Sequence, residues 1–128
     1  MPSRNDIEGV DPGLPRHFVR SCVLLLVAEA PSHGYDLLER LSTIGVLGAD
    51  AGGLYRMLRT MEQGGLLESK WETSTAGPAR RIYRITEDGM DWLHAWAGAH
   101  RETIRIVRSF LARYEAVTAD PGDRSTTG

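Results

Sequence analysis

Gly52, Tyr55, Arg56, Arg59 and Gln63 recur at i, i+3, i+4, i+7 and i+11, the spacing that gathers side chains on one face of a helix. Two guanidiniums, a phenol and an amide can bond phosphate oxygens or base edges, and a glycine lets a partner approach the backbone. The chemistry on offer is recognition of duplex DNA by a helix inserted in its major groove. Leu54, Leu58 and Met61 form an apolar stripe on the opposite face, at i, i+4 and i+7. A solvated surface helix would show the same pattern, so this stretch alone leaves both readings open.

Covalent chemistry finds no comparable constellation. His94 and His100 are six residues apart, not the three or four that place two metal ligands on one helix face. Cys22 lies in the apolar run Cys22-Val23-Leu24-Leu25-Leu26-Val27-Ala28, where a buried structural thiol is expected rather than a nucleophile. No Gly-rich phosphate loop or Ser-centred elbow occurs. The expectation is a protein that is not an enzyme and uses no cofactor and no metal.

The elements that must position the basic helix follow from periodicity and breakers. A first helix is expected over 17–30, apolar over most of its circumference and therefore buried. Pro31 ends it, and 31–34 reads as a turn. A short second helix covers 35–43, with Leu37, Leu38 and Leu41 inward and Gly45 closing it. Asp50 is a good N-cap for the third helix, 51–63. A strand over 66–72 follows, with Leu67, Ser69 and Trp71 on one face, then a connection over 73–79 and a second strand over 80–85 carrying Arg80, Arg81 and Arg84. Helix, helix, helix and a hairpin with an arginine-rich far strand is the order of a winged helix-turn-helix.

Thr86 caps a last helix running to about residue 116. In it Leu93, Ala97, His100, Ile104, Val107, Leu111 and Tyr114 are separated alternately by four and three residues, a heptad seam. A helix of about 30 residues is roughly 45 Å long, more than so small a domain can cover. The seam is therefore expected to pair with a second copy of the chain. Trp92 and Trp96 lie one turn apart, and with His100 they are candidates for holding a flat hydrophobic effector, against the plainer reading that they only pack.

Composition agrees with a mainly α chain bearing a small β-hairpin. Its 128 residues include 41% hydrophobic and 25% charged, values of a single soluble domain. No apolar run approaches the roughly 18–20 residues of a membrane span, and the first residues lack a signal-peptide pattern. One cysteine fits a reducing cytoplasm. The net charge is −2, but between Gly53 and Arg84 six basic residues oppose three acidic ones. A locally basic segment on an acidic body can bind phosphate without indiscriminate attraction.

Four motifs in order carry a family resemblance over roughly residues 18–95. They are Ala30-Pro31-Ser32-His33-Gly34-Tyr35-Asp36-Leu37, Leu54-Tyr55-Arg56-Met57-Leu58-Arg59, Gly64-Gly65-Leu66-Leu67-Glu68-Ser69 with Trp71, and Gly77-Pro78-Ala79-Arg80-Arg81 followed by Tyr83, Ile85, Thr86 and Gly89. Together they resemble the PadR family of bacterial transcriptional regulators, in its short form with a single C-terminal helix. The resemblance implies a dimeric winged-helix DNA-binding protein, usually a repressor, and in several members one released by small aromatic or lipophilic compounds. It implies that Tyr35 and Tyr55 lie near the DNA backbone, that Arg56 and Arg59 face outward on the recognition helix, and that Arg80 and Arg81 form the basic end of the wing. Where the family commonly starts that helix Ser-Pro-Gly-Thr-Leu-Tyr, this chain has Asp50-Ala51-Gly52-Gly53-Leu54-Tyr55, so a threonine hydroxyl is lost at Gly53.

The resulting expectation is a flexible arm over 1–16, a winged helix-turn-helix over 17–85, a dimerisation helix over 86–116 and a disordered tail over 117–128. DNA contacts fall to Tyr35, Gly52, Tyr55, Arg56, Arg59, Arg80 and Arg81, and dimerisation to Leu93, Ala97, Ile104, Val107, Leu111 and Tyr114. The partners are a palindromic operator, a second copy of the chain and a small aromatic or lipophilic effector, in the cytoplasm and away from any membrane. A winged-helix module that binds protein or hydrophobic ligands without reading DNA sequence is the alternative.

Overall fold

A computed structural model describes Leu14 and residues 17–46, 48–74 and 77–119. The expected arm (apart from Leu14) and the tail beyond Ala119 lie outside the described residues. The elements are α1 (Phe18–Glu29), β1 (Ser32–His33), α2 (Gly34–Ile44), α3 (Ala51–Gln63), β2 (Leu67–Ser74), β3 (Gly77–Ile85) and α4 (Glu87–Thr118). Packing divides the chain into two compact units, one ending at Trp96 and one beginning at Ala97.

In the first unit the apolar stripes of the helices meet. Leu24 of α1, Leu37 and Leu41 of α2, Leu58 and Met61 of α3 and Leu67 of β2 are fully buried. Each such side chain contributes about 1.5–3 kcal/mol relative to exposure. Inside α1 the Ser21 hydroxyl donates to the Phe18 carbonyl at 2.6 Å. Burial pushes the Cys22 thiol above its ordinary pKa, so it stays protonated and unreactive near neutrality.

The expected turn at 31–34 is partly strand. Ser32 and His33 pair antiparallel with Tyr83 and Ile82, giving a three-stranded sheet in the order β1-β3-β2. The hairpin is also longer than its sequence pattern. β2 and β3 continue through the expected connection, with Glu72 opposite Arg80, Ser74 opposite Gly77 and an irregularity in between. Pro78 sits in that irregular stretch, where a missing N–H is tolerated.

Caps define the helix ends. α3 stops in a Schellman motif, in which Leu66 N–H donates to the Met61 carbonyl at 2.9 Å and Gly65 N–H to Glu62 at 3.1 Å. Gly65 takes φ +81 there, a left-handed conformation that costs other residues a steric penalty. The Thr86 hydroxyl donates to the Gly65 carbonyl at 2.6 Å and accepts the Gly89 N–H at 3.0 Å, so the cap of α4 is built on the end of α3.

Arg40 of α2 closes α1. It donates to the Leu26 carbonyl at 3.2 Å, the Glu29 carboxylate at 2.8 Å and the Ser32 hydroxyl at 2.7 Å. A cation at a helix C-terminus is favoured by the exposed carbonyls and the dipole. Replacing Arg40 by Ala removes three charge-assisted bonds, while the Leu26 carbonyl keeps the Ala30 N–H and the Ser32 hydroxyl keeps the Ala30 carbonyl, so stability should fall by about 1–3 kcal/mol. A urea midpoint equal to that of the unmodified chain would show that solvent replaces these bonds.

The second unit is the remainder of α4, whose described end at Thr118 lies two residues past the expected one. Ile104, Val107, Leu111 and Tyr114 are all exposed. Phe110 and Tyr114 stack with ring centroids 6.4 Å apart, and Arg105 donates to Glu102 at 2.6 Å on the same helix. Of the other seam residues, Leu93 belongs to the first unit and packs against its core, while Ala97 is half-buried.

Candidate nucleic-acid interface

The basic helix forms as its sequence dictates. An Asp50 carboxylate oxygen accepts the Gly53 N–H at 3.3 Å, satisfying one of the otherwise unpaired first-turn donors. A Cβ added at Gly53 would stand 2.6 Å from that oxygen. Glycine in place of the family's threonine therefore gives the aspartate cap room to close. A phosphate approaching the backbone at this first turn would meet a carboxylate already seated there. Leu54, Leu58 and Met61 are buried, whereas Gly52, Tyr55, Arg56, Arg59 and Gln63 are exposed.

Tyr35, Tyr55, Arg59, Arg80 and Arg81, named from sequence, line one concavity of about 530 Å³ between α2, α3 and the hairpin. Gly52 and Arg56 stand outside that lining. Arg56 turns back over its own first turn, with Nη1 3.4 Å from where a Gly52 Cβ would lie. Arg59 has no carboxylate within ion-pair distance among the described residues, so its donors remain available. Gly34 forms the floor, since a Cβ there would stand 2.5 Å from the Tyr55 ring. Glycine thus lets the phenol lie against the start of α2.

Several lining residues were not singled out in the sequence as site residues, among them His33, Trp71 and Tyr83. Trp71 lies on the same strand face as Leu67, as the alternation predicts. That face passes from 2% exposure at Leu67 to 62% at Trp71, because the hairpin outruns the body and its inner face opens onto the concavity. The arginines of the far strand, opposite Trp71, are the available signal.

Side-chain contacts tie the wing to the helices. Arg80 Nη1 donates to the Tyr35 hydroxyl at 2.6 Å, with its guanidinium carbon 5.3 Å from the ring centroid. The guanidinium is anchored at the phenol oxygen, so the hydrogen bond is the stronger component. His33 stacks on Tyr35 at 6.0 Å and lies 3.4 Å from Asp36 and 3.2 Å from Glu72. Arg81 lies 5.1 Å over the Trp71 ring and 3.7 Å from Glu62.

A second groove, of about 370 Å³, is lined by His17, Arg20, Met61 and Leu66 together with Trp92 and Trp96. The two indoles are neighbours, with centroids 5.7 Å apart, and His17 stacks on Trp96 at 6.2 Å. His100 is not among the lining residues. Among the described residues no helix is long and apolar enough to cross a membrane.

Comparison with known proteins agrees with this geometry. The chain is similar to the conserved protein TM0937, described as a potential transcriptional factor, at 35% identity over 86% of this chain and 100% of that one, with a TM-score of 0.72. It is similar to the PadR-like transcriptional regulator from Bacillus cereus at 26% identity, covering 73% of this chain and 90% of that one, with a TM-score of 0.66. A PadR-like transcription factor from Bacteroides fragilis matches at 26% identity, over 72% of this chain and 88% of that one, with a TM-score of 0.62. No curated protein sequence matches the chain. Residues 23–95 match the model of the transcriptional regulator PadR-like family, from within α1 to within α4, so the chain belongs to that family of non-enzymatic winged-helix regulators.

Proposed function

We propose that the chain is a homodimeric, sequence-specific DNA-binding repressor that acts in the cytoplasm and is released by a small hydrophobic or aromatic effector. Residues 17–85 read the DNA, and the helix over 86–116 joins the subunits. One observation carries the reading: tyrosines and arginines from α2, α3 and β3 converge on a single exposed concavity beside an amphipathic helix. Each α3 enters a major groove with Arg56 and Arg59, while Tyr35, Gly52, Tyr55, Arg80 and Arg81 meet the flanking backbone. Two copies related by a two-fold axis call for a palindromic operator, with half-sites about one helical turn or a multiple apart.

The test is selection of a binding site from random duplexes, followed by fluorescence anisotropy across a salt series and sedimentation of the complex. A palindromic consensus, two chains per site and a steep salt dependence are expected. Equal binding to all duplexes, or none, would move the protein to the alternative class of protein- or ligand-binding module.

The groove at Trp92 and Trp96 supports the effector. A flat ligand stacks on Trp96 beside α1, with the seam residue His100 one helical turn further along. The dye 8-anilinonaphthalene-1-sulfonate serves as probe. Trp96→Ala should weaken its binding by about tenfold, the stacking worth of one large ring, and reduce dye-induced release of operator DNA. Unchanged dye affinity and unchanged release in this variant would rule the site out.

A further inference from the structure

Glu62 is the acidic residue of α3, set one turn beyond Arg59 and beside the concavity lined by arginines. Its side chain is engaged at both oxygens. Oε2 accepts the Ser69 hydroxyl of β2 at 2.6 Å, and Oε1 lies 3.7 Å from Arg81 Nη1 of β3. Arg81 in turn lies over Trp71, its cross-strand partner. Four side chains from α3, β2 and β3 thus make one chain, Ser69–Glu62–Arg81–Trp71, joining the end of the helix to both strands of the hairpin. Glu62 is the more enclosed member of its ion pair, with 30% of its side chain exposed against 45% for Arg81.

We propose that Glu62 is a specificity-positioning residue. It holds Arg81 over Trp71 so that the wing presents that guanidinium in one place relative to the recognition helix. In doing so it cancels part of the attraction of Arg81 for phosphate. An unpaired arginine on a long side chain reaches phosphates in many registers of the duplex and so adds affinity without discrimination. An arginine paired with a carboxylate and held over a ring has lost part of that freedom before DNA arrives, and its remaining donors favour the register in which a phosphate stands beside the wing. The inference rests on the DNA-binding reading above and assigns within it a role to a residue that need not touch DNA.

Glu62→Gln separates charge from shape, because the amide oxygen still accepts the Ser69 hydroxyl. The assay is anisotropy on the selected operator and on a scrambled duplex of equal length, from low to moderate salt. Affinity for the scrambled duplex should rise on the order of fivefold, and the slope of log K against log salt should steepen by about 0.9 for each subunit bound, one additional phosphate neutralised by each freed Arg81. The ratio of operator to scrambled affinity should fall. In an Arg81→Gln background Glu62→Gln should change neither slope nor ratio, since the two residues act as a pair. Ser69→Ala, which leaves the charge in place, should keep the original slope. A Glu62→Gln variant that weakens both duplexes equally at an unchanged slope, or that keeps its effect without Arg81, overturns the proposal. Failure of the unmodified protein to prefer its operator would remove the DNA-binding reading itself, and with it this inference.

Discussion

Leu111→Glu should leave the chain monomeric at micromolar concentration and weaken operator binding by about 10²–10⁴-fold, the factor gained when a second linked site engages the same duplex. Leu111 is 44% exposed and falls in the row Ile104, Val107, Leu111 and Tyr114, on a helix whose apolar residues in this stretch face outward. A contiguous apolar row of this kind marks an interaction surface. Heptad spacing fits a second helix of the same kind. A carboxylate placed in such a seam is desolvated without a partner, which costs several kcal/mol for the pair of subunits. Leu111 is absent from the core up to Trp96, so helix content and the thermal transition of that unit should survive. Sedimentation velocity and anisotropy decide the matter. A variant that remains dimeric, or a monomer that binds the operator as tightly as before, would place dimerisation elsewhere or make it irrelevant to binding.

The second large effect is expected at Arg59. Its side chain lines the concavity and lacks an acidic partner among the described residues, whereas Arg80 bonds Tyr35 and Arg81 pairs with Glu62. An arginine with unspent donors on the exposed face of α3 is the natural reader of a guanine edge. Arg59→Ala should therefore weaken operator binding by about 1–3 kcal/mol per subunit and relax the preference at one base pair in each half-site. Affinity for scrambled duplexes should change much less. Equal loss on matched and mutated operators would assign Arg59 to the phosphate backbone.

Much of this architecture can be read from local sequence, because the relevant forces are local. Asp50 as a cap, Gly65 as a stop and Leu54, Leu58 and Met61 as the inner stripe of α3 each need only a few neighbouring residues. β1 is not legible locally, since two residues have no periodicity. Ser32 and His33 become a strand only because Tyr83 and Ile82, some fifty residues on, supply the partners. Trp71 shows a different limit. Alternation gave its face correctly but could not say that the hairpin extends past the core at that height. The engagements of Glu62 and Arg40 were equally hidden, since each joins side chains from three elements. For the concavity, residue types marked the tyrosines and arginines, while folding was needed to show that Gly52 and Arg56 stand aside.

The joint at Thr86 has an evolutionary consequence. One hydroxyl seals the end of α3 through Gly65 and starts α4 through Gly89, with the Thr86 N–H adding a bond to the Leu66 carbonyl at 3.1 Å. Such a junction has no slack. An insertion between Ile85 and Gly89 would break the stop of one helix and the start of the next together. Sequence drift beyond Trp96 touches none of these bonds. Descendants of this chain can therefore exchange or lengthen the distal part of α4 while inheriting the fold up to Trp96 intact.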